Sequence, residues 1–158
     1  MKSILEIPAF ACREDLFDPI RKANTKGSEN KYADFSFFEL DLDEKHSIYF
    51  YLLNQIPSYG NESLIDQVIV KAPFSLIFLE PDETLADSKN GELFQNYLQK
   101  YSTPIFLLVV KDQQEFFLNL TNDPVIKESG STILLLNAED PRTLKTALLD
   151  AMKTIIPA

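Results

Sequence analysis

Three apolar runs constrain this chain more than anything else in it: FSLIFLE at 74–80, PIFLLVV at 104–110 and STILLLN at 131–137. Each has an unbroken apolar centre of four or more residues, so each reads as a strand covered on both faces. The stretches around them carry helical periodicity instead. Glu62–Ala72 sets Leu64, Ile65, Val68 and Ile69 on one face behind a cap at Asn61, with Pro73 as the stop. Glu92–Tyr101 sets Leu93, Phe94, Tyr97 and Leu98 inward, and Asp112–Leu120 is a further helix ended by Asn122-Asp123-Pro124. Asp140-Pro141 opens a last helix, a cap followed by proline in the first turn, which runs to about Ile156 with Leu144, Leu148, Ala151 and Ile155 inward. Alternation of this kind requires a mostly parallel sheet with helices on both faces.

The N-terminal half begins with a short apolar run, Ile4–Ile7, ended by Pro8. Arg13–Ala23 reads as helical with a restart at Asp18-Pro19, and Asn24–Lys31 (NTKGSENK) as a polar loop. Tyr32–Leu40 and His46–Asn54 are two aromatic and branched strands joined by DLDEK, which makes them an antiparallel hairpin. An irregular loop, QIPSYGN, follows. The expected fold is therefore a three-layer, doubly wound α/β domain over residues 1–158, mostly parallel, with one antiparallel edge strand.

Charge narrows the partners. Lys and Arg number 15 against 24 Asp and Glu, for a net charge of −9. That balance disfavours nucleic acid, which needs clustered cations, and disfavours an anionic membrane surface. No stretch approaches the ~20 apolar residues of a membrane span. MKSILEIPAFACRED is too short and too soon charged for a signal peptide, and Cys12 is alone, so the chain is expected to be cytoplasmic.

The residues that carry chemistry are sparse. The four glycines, Gly27, Gly60, Gly91 and Gly130, never cluster, and no G-x-x-x-x-G-K-[ST] run exists. A phosphate cradle needs glycine so that backbone N–H groups can converge on the anion. His46 has no second metal-type neighbour and reads as a solvated strand residue. Asp41, Asp43 and Glu44 lack the twelve-residue calcium loop and read as a charged turn. Ser58 lies outside any G-x-S-x-G elbow, and Glu14 and Asp15 would keep the Cys12 thiol protonated. Lys111-Asp112 reads as a solvated strand end. No catalytic, cofactor or metal residue emerges. The hairpin does stand out: Tyr32, Phe35, Phe37, Phe38, Tyr49, Phe50 and Tyr51 fall on two neighbouring strands, and alternate side chains take opposite faces. Either helices cover both faces or part of this surface is an interface.

The element order resembles that of Ras-like small GTPases, and most closely the bacterial branch that includes the gliding and polarity protein MglA. DFSFFELDLDEKHSIYFYLLNQIPSYG is similar to its first strands and switch, FSLIFLEPDETLADS to the following strand and acidic loop, and IFLLVVKDQQ to the guanine-reading strand. ILLLNAEDPRTLKTALLDAM resembles the final strand and helix, so the resemblance spans roughly residues 32–156. Its diagnostic motifs have lapsed. PAFACREDLFDP replaces the phosphate loop, with Glu14 and Asp15 where an anion would sit. Gln55-Ile56-Pro57-Ser58 stands for D-x-x-G, Val110-Lys111-Asp112-Gln113 for N-K-x-D, and Asn137-Ala138-Glu139 for S-A-K.

The resemblance implies a non-catalytic GTPase-like regulatory or scaffolding module that has lost nucleotide binding and grips a protein, a roadblock-type domain being the usual companion. Regulators of Ras-like proteins hold the hairpin and the loop after it, which makes Phe35, Phe37 and Tyr59 the candidate contacts. Two alternatives stand beside this. LIFLEPDE and TPIFLLVVKD also resemble strands of a degenerate response-regulator receiver, with Asp82 as phosphoacceptor, although the acidic pair after the first strand and the Lys after the last are missing. A nucleotide-binding enzyme working by an unrecognised route is the other.

Overall fold

The computed structural model describes residues 3–23, 29–32, 35–57, 64–79, 89–110, 120–136, 140 and 142–155. The three apolar runs form β5 (Ser75–Leu79), β6 (Ile105–Val110) and β7 (Thr132–Leu136), paired in parallel in that order. Ahead of them lie β1 (Ser3–Phe10), β2 (Glu29–Lys31), β3 (Ser36–Asp41) and β4 (His46–Leu53). The seven strands make one sheet in the order β2-β3-β4-β1-β5-β6-β7. β3 runs antiparallel to both of its neighbours, and the other pairings are parallel.

Helices cover both faces. A 3-10 turn, Glu14–Phe17, leads into α1 (Asp18–Ala23), and with α5 (Arg142–Ile155) it closes over one face. Phe17, Ile20, Leu144 and Leu148 pack there on Ile7, Phe38, Phe50 and Phe78. The other face carries α2 (Leu64–Lys71) and α3 (Lys89–Lys100), whose Ile65, Val68, Ile69, Phe94 and Tyr97 pack on Phe10, Leu53, Ile77 and Leu79. Edge-on ring contacts tie the layers to the sheet, Phe17 to Phe78 at 5.8 Å and Phe10 to Tyr97 at 5.6 Å. A short helix, α4 (Pro124–Ser129), precedes β7.

Four local details differ from what the sequence suggests. Pro8 does not end the first strand; it lies inside it. The N–H groups of Ser3 and Ala11 donate to Lys45 and Leu53 on the β4 side, so the odd residues of β1 face β4 and the nitrogen of Pro8 faces β5. The β5 ladder starts only at Ala9↔Leu76, so the missing donor costs no ladder bond. Next, Glu29–Lys31 of the expected polar loop is an edge strand, and Tyr32 lies outside the strand that begins at Ser36. The second helix of the helix–strand series, α3, starts at Lys89 rather than Glu92. Finally, Asp123-Pro124 opens α4 instead of only ending the region before it. The Asp123 carboxylate accepts from the N–H groups of Val125 and Ile126, and Gly130 closes the helix at φ 69°. The helix expected at 112–120 falls largely outside the described residues.

Candidate functional site

In an open α/β sheet, ligands gather beyond the carboxyl ends of the parallel strands. At the end of β1 the chain passes through Ala11, Cys12 and Arg13 and turns at once into the 3-10 turn. Ala11 is fully buried; its N–H donates to Leu53 O (3.1 Å), and its carbonyl accepts from Asn54 Nδ2 (3.0 Å). The ends of β1 and β4 are thereby tied to each other. Leu16 and Phe17 turn into the core within four residues of Arg13, leaving a short connection with no glycine in it. Cys12 packs partly against the same core.

The acidic residues here are engaged by arginines. Arg13 Nε reaches Asp15 Oδ1 (3.1 Å) on the surface. Arg21 of α1 donates to Glu14 through both its carboxylate (2.7 Å) and its main-chain carbonyl (2.8 Å). Its Nε donates to Glu29 Oε1 on β2 at 2.7 Å. That bond, opposed in part by desolvation, holds the Glu29 carboxyl below its ordinary value and raises the guanidinium above its own. Arg21 therefore links the 3-10 turn, α1 and the outermost strand.

A second cluster joins the segment after β4 to the helices beside it. Lys100 at the end of α3 donates to Pro57 O (2.8 Å) and pairs with Asp66 of α2 (3.1 Å). Asp66 also accepts from the Tyr101 hydroxyl, and Thr103 donates to Ile69 O at 2.9 Å. Burial, with the Asp66 carboxylate alongside, pushes the Tyr101 phenol well up from its usual range. The Lys100 and Asp66 side chains are 15% and 16% exposed. Gln55–Pro57, where the resemblance places its switch, is thus latched to α3 by its main chain.

The hairpin aromatics divide between the two faces as alternation demands. Phe38 and Phe50 are core residues beneath α1 and α5. Phe35, Phe37, Tyr49 and Tyr51 take the opposite face and are only partly covered there, apart from Tyr51, which is buried. They form one chain of ring contacts: Tyr32 stacks on Phe35 at 5.0 Å, Phe35 meets Tyr51 at 5.5 Å, and Phe37 meets Tyr51 at 5.5 Å and Tyr49 at 5.1 Å. Tyr32 is 59% exposed at its end. Desolvation, then the charge and acceptor of Glu6, push the Tyr51 phenol up to about 12.

Two of the candidate contacts, Phe35 and Phe37, therefore share this patch. The third, Tyr59, lies outside the described residues, as do Ser58, Asp82, Lys111, Asp112 and 137–139. Asp43 serves the hairpin turn: it accepts from the N–H groups of Lys45 and His46 (2.7 Å each), and its hydrogen bond with the His46 ring, ahead of those main-chain bonds, holds its carboxyl below the ordinary carboxylate value. Among the described residues no group of three or more His, Cys, Asp or Glu side chains is placed to hold a metal ion. A groove of about 570 Å³ is lined by Leu134 of β7, Asp140 and five residues of α5, and two of its lining residues, Arg142 and Asp140, bind each other (3.2 Å). No described helix is long and apolar enough to cross a membrane.

No protein-family model matches the chain, and no curated protein matches it. Solved structures do. The G domain of the T. maritima FeoB iron transporter superposes with a TM-score of 0.61 at 10% identity, over 96% of this chain and 98% of that one. The FeoB G domain of Methanococcus jannaschii gives 0.52 at 15% identity, over 97% and 99%. Translation elongation factor SelB of Methanococcus maripaludis, solved with the GTP analogue GppNHp, gives 0.60 at 14% identity; all of this chain is covered, but only 36% of that one. Identities this low speak to architecture alone: the chain has an α/β, small-GTPase-like G-domain fold.

Proposed function

We propose that this protein is a non-catalytic, GTPase-like regulatory or scaffolding module that has lost nucleotide binding and works by holding a protein partner. The observation that carries the reading is the connection from β1 to α1. A phosphate-binding loop presents several free N–H groups around an anion. Here the Ala11 N–H and carbonyl are both engaged by the end of β4, and Glu14 and Asp15 bring two carboxylates to the same turn. The engaged main chain at Ala11 and a turn without glycine oppose a triphosphate together. The latch from Lys100 to Pro57 and Asp66 further supports a segment that keeps one arrangement whatever nucleotide is added. The half-covered aromatics supply the contact surface, since Tyr and Phe concentrate in interface cores. The resemblance to the MglA branch makes a roadblock-type domain the first partner to try.

Thermal melting with GTP, GDP and ATP plus magnesium tests this. A nucleotide at ~100 times its dissociation constant adds about 2.7 kcal/mol, which for a domain of this size raises Tm by about 5–10 °C. The proposal expects no shift with any of the three. A shift with GTP or GDP that depends on magnesium would show a working nucleotide site and end it.

A further inference from the structure

α5 presents a row of exposed positions about one helical turn apart: Arg142, Thr146 and Asp150. From its centre, the row has a cation at one end and an anion at the other. A two-fold axis leaving the helix at Thr146 sets Arg142 against Asp150 of a second copy, and Asp150 against Arg142 of that copy. The Thr146 hydroxyl donates to Arg142 O (3.0 Å), so the middle of the row can be buried without stranding that group. Thr143, in the groove beside the row, likewise donates to Asp140 O (2.9 Å). Leu134 of β7, the last strand of the sheet, lines the same groove. β7 has the sequence TILLL, with no charge and no proline, whereas the strand at the opposite edge is Glu29-Asn30-Lys31. Uncharged edges are normally covered, and here Ile133 and Leu134 remain half-buried.

We infer that this chain pairs symmetrically with a second copy of itself along α5 and the β7 edge. The inference goes beyond the proposed binding of a protein partner and does not depend on it. Self-complementarity selects the occupant. A contact repeated across a two-fold needs a positive and a negative end equally spaced from one centre, and each α5 carries both. Arg142 and Asp150 are eight residues apart, about 12 Å along the helix, so each lies about 6 Å from the centre and the two pairs form together. A partner of uniform charge, basic or acidic, meets a repelling group at one end of the row. Neither group has to give up its contacts within the chain. Asp140 takes the Nε and Nη2 donors of Arg142 (3.2 and 3.3 Å), two of five on a guanidinium whose side chain is 88% exposed. Asp150 keeps a contact of its own, and a carboxylate accepts up to about four hydrogen bonds.

Sedimentation equilibrium of the full chain over a range of concentrations tests this. The native chain should associate reversibly into a pair. R142E and D150K each set like charges opposite each other at two places. Each should weaken association about tenfold, since a single exposed ion pair is modest but the symmetry counts it twice. An equimolar mixture of R142E and D150K should restore association, because one chain is then negative at both ends of the row and the other positive at both. Rescue on mixing also shows that each variant is folded. The double variant R142E/D150K, with the signs exchanged, should associate like the native chain. K71E and E92K change the net charge by the same amounts at exposed positions on α2 and α3, and should have no effect. A native chain that stays monomeric up to about 1 mM would overturn the inference. So would a mixture that associates no better than either variant alone, or weakening by K71E equal to that by R142E.

Discussion

Replacing Asp66 by alanine should loosen one side of the molecule and leave the other intact. Asp66 accepts from the Tyr101 hydroxyl and pairs with Lys100 at 3.1 Å, and both charged side chains are about five-sixths covered. Removing one partner of a fully buried pair costs roughly 3–5 kcal/mol, and hydrogen bonds to a charged group contribute about 1.5–3 kcal/mol. Residual exposure places this cluster at the low end. Alanine improves helix propensity by about 0.5 kcal/mol, but the substitution also removes a carboxylate from the first turn of α2, a loss of similar size. The net expectation is about 2 kcal/mol of destabilisation, or a fall in Tm of about 4–8 °C. Hydrogen exchange locates the effect: amides of α2 should lose protection well before those of α5, because Lys100 would then hold Pro57 without its anchor on α2. A double-mutant cycle with Lys100→Met should give a coupling of about 1 kcal/mol. Additive single variants, or protection lost evenly across both faces of the sheet, would refute the idea of a local latch.

Three further expectations follow from single sites. Phe17 is fully buried and packs edge-on against Phe78, so Phe17→Ala should cost about 3–5 kcal/mol in urea denaturation, with Phe17→Leu well under half of that. Glu29 is held by Arg21 below its ordinary value of 4.5, so its contribution is complete above pH 4.5 and disappears as pH falls through the lower folded value. The stability difference between the native chain and Glu29→Gln should accordingly be constant from pH 5 to 7 and shrink in stronger acid, as followed by melts at each pH. Gly130 sits at φ 69° with open space where a Cβ would go, so Gly130→Ala should cost about 1 kcal/mol from backbone strain alone, and Gly130→Asn distinctly less. Equal costs for the two would refute that assignment.

How much of this was legible in the sequence depended on whether the signal was local. Ser75–Leu79, Ile105–Val110 and Thr132–Leu136 announce themselves because a strand buried on both faces has no use for polar residues. The inward set Leu144, Leu148 and Ala151 follows from helical spacing, and all three are buried. The split of Phe38 and Phe50 from Phe37 and Tyr49 follows from a period of two. β2 escaped notice because Glu29-Asn30-Lys31 has no apolar member: it is a short edge held by Phe38 and Arg21 instead of by its own pattern. α4 carried the same Asp-Pro signal as the last helix, with Gly130 as its stop, and was legible on that rule. Pro8 misled because the proline rule applies to a paired edge of a strand, and only a neighbour's register shows which edge is paired. The latch could not be read at all. Pro57, Asp66 and Lys100 come from three separate elements and carry no shared motif, so only the packing of α2 against α3 brings them together.

Among the described residues, the ladder between β1 and β5 spans two residue pairs, whereas β1 and β4 share eight. The seven strands thus behave as two panels, one of β2-β3-β4-β1 and one of β5-β6-β7, meeting along a seam at Ala9 and Phe10. Side chains add to the short main-chain pairing at that seam: Phe17 meets Phe78 on one face, and on the other Tyr97 of α3 meets Phe10 and donates to Ser75 Oγ (2.8 Å). Pulled or heated, the molecule should part there first, with each panel keeping its own ladders for a time. A partner whose footprint bridged both panels would brace the weakest line in the sheet.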